Sequence, residues 1–133
     1  MTRQPFRRRN AFMRAALAAT TLAKMGLATQ PVRATGDASR GEVLYQLCQS
    51  CHAIDNNGIG PMHRGVVGRA AGMVAGYDYS IALKNAKIVW TEDNLDKWLA
   101  SPQGLVPGTK MFYGVADPRD RADLIAFLKE RAR

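Results

Sequence analysis

The sequence predicts an all-α domain of short helices and long loops folded around something other than its own side chains. Three observations predict it. Several segments repeat apolar residues at helical spacing, and no run reads as a strand. A glycine-rich stretch from 53 to 76 is also too long to stay ordered in a small domain without a further surface to lie on.

The chain opens with a leader. Residues 1–34 hold seven of the nineteen Lys and Arg residues (Arg3, Arg7, Arg8, Arg9, Arg14, Lys24, Arg33) and no acid. Beyond them, twelve bases stand against eleven acids, so the formal charge of +8 belongs to the leader rather than to the domain. A nucleic-acid partner needs a basic face on the folded part, and that class is set aside. A basic region to Arg14, an apolar run from Ala15 to Ala23 that resumes after Lys24, and small residues around Val32-Arg33-Ala34 together read as a secretory signal. The run is too short to span a bilayer. The expectation is a cleaved signal peptide over 1–34 and one domain over 35–133, exported to the periplasm. The alternative is an uncut leader anchoring the domain to the membrane on its periplasmic side.

Asp37 is a good N-cap for the first helix, and Ser39 with Glu42 also matches a capping box. Gly41, Leu44, Tyr45 and Cys48 then fall on one helical face. That face leads into Cys48-Gln49-Ser50-Cys51-His52, the C-x-x-C-H pattern of c-type haem attachment. Each part has a chemical reason. Two thiols three positions apart can add to the vinyl groups of one haem, and the next residue turns its imidazole toward the iron.

Competing readings lose on context. A thioredoxin-like pair needs a preceding strand, and a structural zinc site needs more ligands than the leftover His63 supplies. A plain Cys48–Cys51 disulfide is the remaining alternative.

For the sixth iron position there are three methionines beyond the leader, Met62, Met73 and Met111. Methionine is more often gap-filling core than ligand. Met111 has the best context, because Pro107-Gly108-Thr109-Lys110 makes a rigid turn able to present it. His63 is the other candidate, only eleven residues past His52 in a glycine-rich loop. The plainer reading of His63 is a solvated loop residue.

Further along, a short helix is predicted over Ser80–Asn85. Thr91 caps the next one, with an apolar face of Leu95, Trp98 and Leu99, and this helix stops before Pro102. Asp117-Pro118 is an N-cap and first-turn pair opening the last helix, whose Leu124, Ile125 and Leu128 form a core stripe with Phe127 beside it. Lys129, Arg131 and Arg133 near its end suit the helix dipole.

With these residues in place the chain resembles the class I, mitochondrial-type monohaem cytochromes c and their exported bacterial members. The landmarks are Gly36-Asp37, Cys48 to His52, Gly60-Pro61, Gly65 to Arg69, Tyr77 to Ser80, Trp90, Pro107 to Met111 and Asp123 to Leu128. The resemblance implies the class I cytochrome c fold around one covalent haem c, with Cys48 and Cys51 as thioethers and His52 and Met111 as iron ligands. Pro61 would accept the ring N–H of His52. Tyr79 and Trp90 would donate to a buried propionate, Arg69 would help hold its charge, and Thr109 would bond nearby. Gly41 and Tyr45 would pack against Leu124 and Phe127 where the first helix crosses the last.

Some positions depart from the family pattern. Leu83 stands where an asparagine that binds an internal water is common, and Trp98 where a tyrosine hydroxyl touches the methionine sulfur. Both point to a drier Met111. Gln103-Gly104 replaces paired lysines at the exposed haem edge, leaving Lys84, Lys87, Lys97 and Lys110. Steering toward an acidic partner is accordingly weak.

The implied function is single-electron transport with no catalytic residue. The implied partners are redox proteins: a membrane oxidoreductase complex, an oxidase, a reaction centre or a periplasmic dehydrogenase, met by a monomer. A dedicated subunit for one dehydrogenase is the variant within this class. The rival from another class is a haem-based catalyst or gas-binding sensor with a displaceable sixth ligand.

Overall fold

The computed structural model describes Met1 and residues 35–133, so all of the expected signal over 1–34 except Met1 lies outside the described residues. Five helices follow in order: α1 Ala38–Tyr45, α2 Ile81–Asn85, α3 Glu92–Ala100, α4 Pro102–Leu105 and α5 Pro118–Arg131. The only pairing of strand type among the described residues is an isolated antiparallel bridge, Ala70 to Val89. The expected all-α class holds.

Local chemistry sets the helix starts. The Asp37 carboxylate accepts the N–H groups of Ser39 and Arg40, so Ser39 lies inside α1 and the capping box centred on it does not form. Thr91 and Asp117 cap α3 and α5 as expected, with Pro118 in the first turn of α5, whereas Ser80, expected inside the short helix, is instead the N-cap of α2. Helix α4 was not predicted. Ser101 accepts the Gly104 N–H at 3.0 Å, and Pro102 begins a single turn immediately after α3.

A second correction concerns α1. Its regular part stops at Tyr45 and does not carry the cysteines directly. Tighter turns take over, with Leu47, Cys48 and Cys51 each bonding back three residues, until His52 N–H bonds to Cys48 C=O at 2.8 Å.

Helices α1 and α5 cross in close contact. The approach is possible because Gly36 and Gly41 face the α5 backbone. A Cβ on Gly36 would overlap the Ala122 carbonyl, and one on Gly41 the Asp123 carbonyl. Tyr45, 2% exposed, stacks obliquely on Phe127 with ring centres 4.9 Å apart. Leu124, Ile125 and Leu128 complete the α5 side of the core, and Leu95, Trp98 and Leu99 the α3 side.

The crossing is also held by charge. Asp123, 3% exposed, accepts the Asp37 N–H at 2.7 Å and pairs with Arg40, which also pairs with Asp120. Burial alone would raise the Asp123 pKa, but the Asp37 N–H and the Arg40 guanidinium outweigh it and hold the group below its ordinary value. A depressed carboxylate stabilises the fold above the unfolded-state value of about 4 and loses that contribution as the pH falls through its folded value. Asp123→Asn is therefore expected to unfold at lower urea than the parent at pH 7, with the difference narrowing steadily below pH 4. Urea titrations at pH 7, 4 and 3 measure it; a constant difference across that range would remove the charge from the account.

The loop from 53 to 79 is ordered by cross-ties. His63 and Arg64 N–H groups bond to Ala53 and Ile54, Tyr77 Oη donates to the Ile59 carbonyl at 2.6 Å, and Asn57 Nδ2 donates to Ala75. These ties curve the loop around one side of a cavity.

Candidate functional site

The cavity has a volume of about 510 Å³, within the range of cofactor pockets. Every residue singled out from the sequence as haem-binding lines it: Cys48, Cys51, His52, Pro61, Arg69, Tyr79, Trp90, Thr109 and Met111. Leu83, Leu95, Trp98, Leu99, Leu124 and Leu128 make the rest of the wall largely apolar.

His52 is the most constrained of these side chains. Its Nδ1 lies 2.7 Å from the Pro61 carbonyl, which can only accept, so Nδ1 carries the proton and Nε2 keeps its lone pair. Burial lowers the pKa of the ring, opposed only in part by the Pro61 bond, which favours the neutral imidazole a metal requires. A Cβ on Gly60 would overlap the His52 ring, so this glycine is what lets the loop close over the imidazole.

His63 corrects the sequence reading. It is not a solvated loop residue. Its ring stacks on His52 with centroids 4.1 Å apart and 19° between planes, and its Nδ1 lies 3.0 Å from Tyr45 Oη. Burial first, then the nearby His52 and Arg69, pushes its pKa down to about 3, so it is neutral. A ring-nitrogen lone pair lies in the ring plane, so a neighbour on the face of His52 does not compete for Nε2.

Thr109 (4% exposed) also lines the cavity and precedes the half-buried Met111 by two residues, after the positive-φ turn at Gly108. Of the three methionines in the domain, Met111 alone lines the cavity. Met62 packs against the core outside it, and Met73 is exposed.

Tyr79 and Trp90 are buried, and the Tyr79 hydroxyl accepts the Val74 N–H at 3.4 Å. Arg69 faces the cavity while donating to the carbonyls of Arg64 (2.6 Å) and Met62 (2.9 Å). Trp98 lies 5.0 Å from Trp90, ring to ring, and with Leu83 adds to the apolar lining of the cavity.

This donor set fits a c-type haem: a cysteine pair, a single-tautomer imidazole and a thioether on one cavity, with buried polar groups at its edge. The cytochrome c family model matches residues 38–132. The chain belongs to the cytochrome c family.

Among its relatives in that family, cytochrome c2 of Rhodomicrobium vannielii is 46% identical over 99 residues, covering 71% of this chain and 79% of the relative. The cytochrome c-type cyt cy of Rhodobacter capsulatus is 46% identical over 106 residues, 77% of this chain, which spans only about half (53%) of that longer protein. The structure of cytochrome cH from Methylobacterium extorquens superposes with a TM-score of 0.70 at 46% identity, covering 72% of this chain and all of its own. The protein is thus a class I cytochrome c, an electron-transfer protein carrying single electrons on one covalently bound haem c and exchanging them with redox partners. No helix among the described residues is long and apolar enough to cross a membrane.

Sequence reasoning misread one contributor to this site, His63. His63 carried a signal, being the one histidine outside the attachment motif, but eleven residues of loop concealed its return to the cavity.

Proposed function

We propose that residues 35–133 form the mature domain after cleavage at Ala34, and that this domain works in the periplasm as a monomeric shuttle. In this reading Cys48 and Cys51 attach the haem, and His52 and Met111 ligate its iron. Pro61 fixes His52, and Tyr79, Trp90, Arg69 and Thr109 serve the propionate end. The observation that carries the reading is that Nε2 of a single-tautomer His52 and Met111, the only cavity-lining methionine among the described residues, share one largely apolar cavity with both cysteines. The leader, with its basic start, apolar run and small residues before position 35, supports export.

The haem, when bound, supplies the one-electron couple of its iron. The protein's part is to keep that couple from needing rearrangement. Pro61 and Gly60 hold the His52 ring in one orientation, and Leu83, Trp98 and the other apolar lining residues limit water in the cavity. Thioether ligation raises the potential relative to bis-histidine ligation. No side chain has to act as acid, base or nucleophile.

The partner is a membrane oxidoreductase complex, an oxidase, a reaction centre or a periplasmic dehydrogenase, approached with little long-range steering. Two of the remaining lysines, Lys84 and Lys110, face Asp78, at 3.7 Å and 2.8 Å, which removes much of their positive field.

Carbon monoxide separates this reading from a gas sensor or haem catalyst. The reduced protein at neutral pH is expected to keep its spectrum on mixing. Immediate conversion would move it to the class with a displaceable sixth ligand.

A further inference from the structure

We propose that Gln103 is a positioning residue for Met111, its single carboxamide clamping the 107–111 loop in the conformation that presents the thioether. The inference rests on the assignment of Met111 as ligand made above.

The Gln103 amide reaches three residues of that loop. Nε2 donates to the Thr109 carbonyl at 2.7 Å and to the Met111 carbonyl at 3.1 Å, and Oε1 accepts the Gly108 N–H at 3.2 Å. The loop needs such a tie. Gly108 has a φ of +86°, and the loop's own backbone supplies a turn bond only from Thr109 N–H to Val106, at 3.1 Å. Backbone groups without a partner leave a loop free to sample other conformations.

The arrangement also dictates the residue type. Two carbonyls require two donors, and one N–H requires an acceptor, all at the end of one side chain. A primary amide offers both kinds, lysine only donors and glutamate only acceptors. The network therefore fixes which amide atom is nitrogen.

The clamp has a firm base. Gln103 is the second residue of α4, which starts at the buried Pro102, is capped by Ser101 and packs against α3. The glutamine stands where the family commonly has a lysine, so its amide substitutes a short-range tie for a surface charge.

The experiment uses holoprotein with Gln103 replaced by Ala, Lys or Glu. Amide exchange at Gly108 is followed by NMR, and imidazole binding to the oxidised protein by optical titration. An exogenous ligand can enter only when the thioether moves away, so its apparent affinity scales with the open fraction. Because a net hydrogen bond is worth close to a tenfold change in an equilibrium, Q103A is expected to exchange the Gly108 proton about tenfold faster and bind imidazole about tenfold tighter.

Q103E should exceed Q103A in imidazole affinity, because a carboxylate would face two carbonyl oxygens. Q103K should match Q103A in Gly108 exchange but bind imidazole less tightly than Q103A. Folded Q103A and Q103E within about twofold of the parent in both measurements would overturn the clamp, such a change being well below one hydrogen bond. Loss of the Met111 assignment reads differently: the parent itself would lack the near-infrared sulfur-to-iron band, while the Gly108 exchange result would be unaffected.

Discussion

Replacing Met111 with alanine is expected to abolish the weak near-infrared sulfur-to-iron band of the oxidised protein and to lower its potential by on the order of 100 mV, while Met62→Ala and Met73→Ala preserve both. The three methionines test one another because their environments differ. Met111 lines the cavity that His52 enters, Met62 packs on the core outside it, and Met73 is 69% exposed. For a one-electron couple roughly 59 mV is a tenfold shift between oxidised and reduced forms, so the expected fall is well within reach of a redox titration. Alanine leaves the sixth position open to water or another base, which favours the oxidised iron that the thioether had disfavoured. A band that survived in Met111→Ala and vanished in Met62→Ala would reassign the ligand and with it the role of the 107–111 loop.

The apolar wall sharpens this expectation. Leu83 and Trp98, both buried and both lining the cavity, bring no side-chain oxygen to it. With the two side chains apolar at those positions, the placement of the 107–111 backbone carries more of the task of presenting Met111, which gives the Gln103 amide its importance.

Much of this site was legible in the sequence because its chemistry is local or tied to punctuating residues. Cys48, Cys51 and His52 fall within five residues and Met111 follows Pro107-Gly108, so spacing and turn chemistry exposed them, while Pro61 came only from the family resemblance. Helices α3 and α5 were legible for a similar reason: Thr91 and Asp117 cap them where the apolar pattern begins.

What stayed hidden depends on contacts without periodicity. Helix α4 is four residues long, too short to show a repeat, and exists because Ser101 and Pro102 can start a turn. His63 is drawn in by Tyr45 and His52 from different stretches of chain, and loop composition alone says only that it is exposed. The end of α1 at Tyr45 was missed because Cys48 continues the helical face although the backbone has already tightened.

Gly41→Ala is expected to lower unfolding stability by about 3 kcal/mol, at the upper end of the cost of overpacking a well-packed contact. Two effects of opposite sign decide the outcome. In a solvent-exposed helix interior, glycine to alanine gains close to 1 kcal/mol from backbone entropy. At this position, however, the added methyl would overlap the Asp123 carbonyl and lie 2.8 Å from Phe127 Cβ, and neither is the free end of a flexible side chain. Relief therefore requires α1 to move off α5. That movement would loosen the Tyr45–Phe127 contact and draw Asp37 and Arg40 away from Asp123. Because α1 leads within three residues to Cys48, the same shift should reach the attachment segment and reduce the yield of haem-loaded protein. Glu42→Ala, on the exposed side of the same helix, is the control and should stay within about 0.5 kcal/mol of the parent in denaturant unfolding. If Gly41→Ala proved as stable as that control, the glycine would owe its place to something other than the helix crossing.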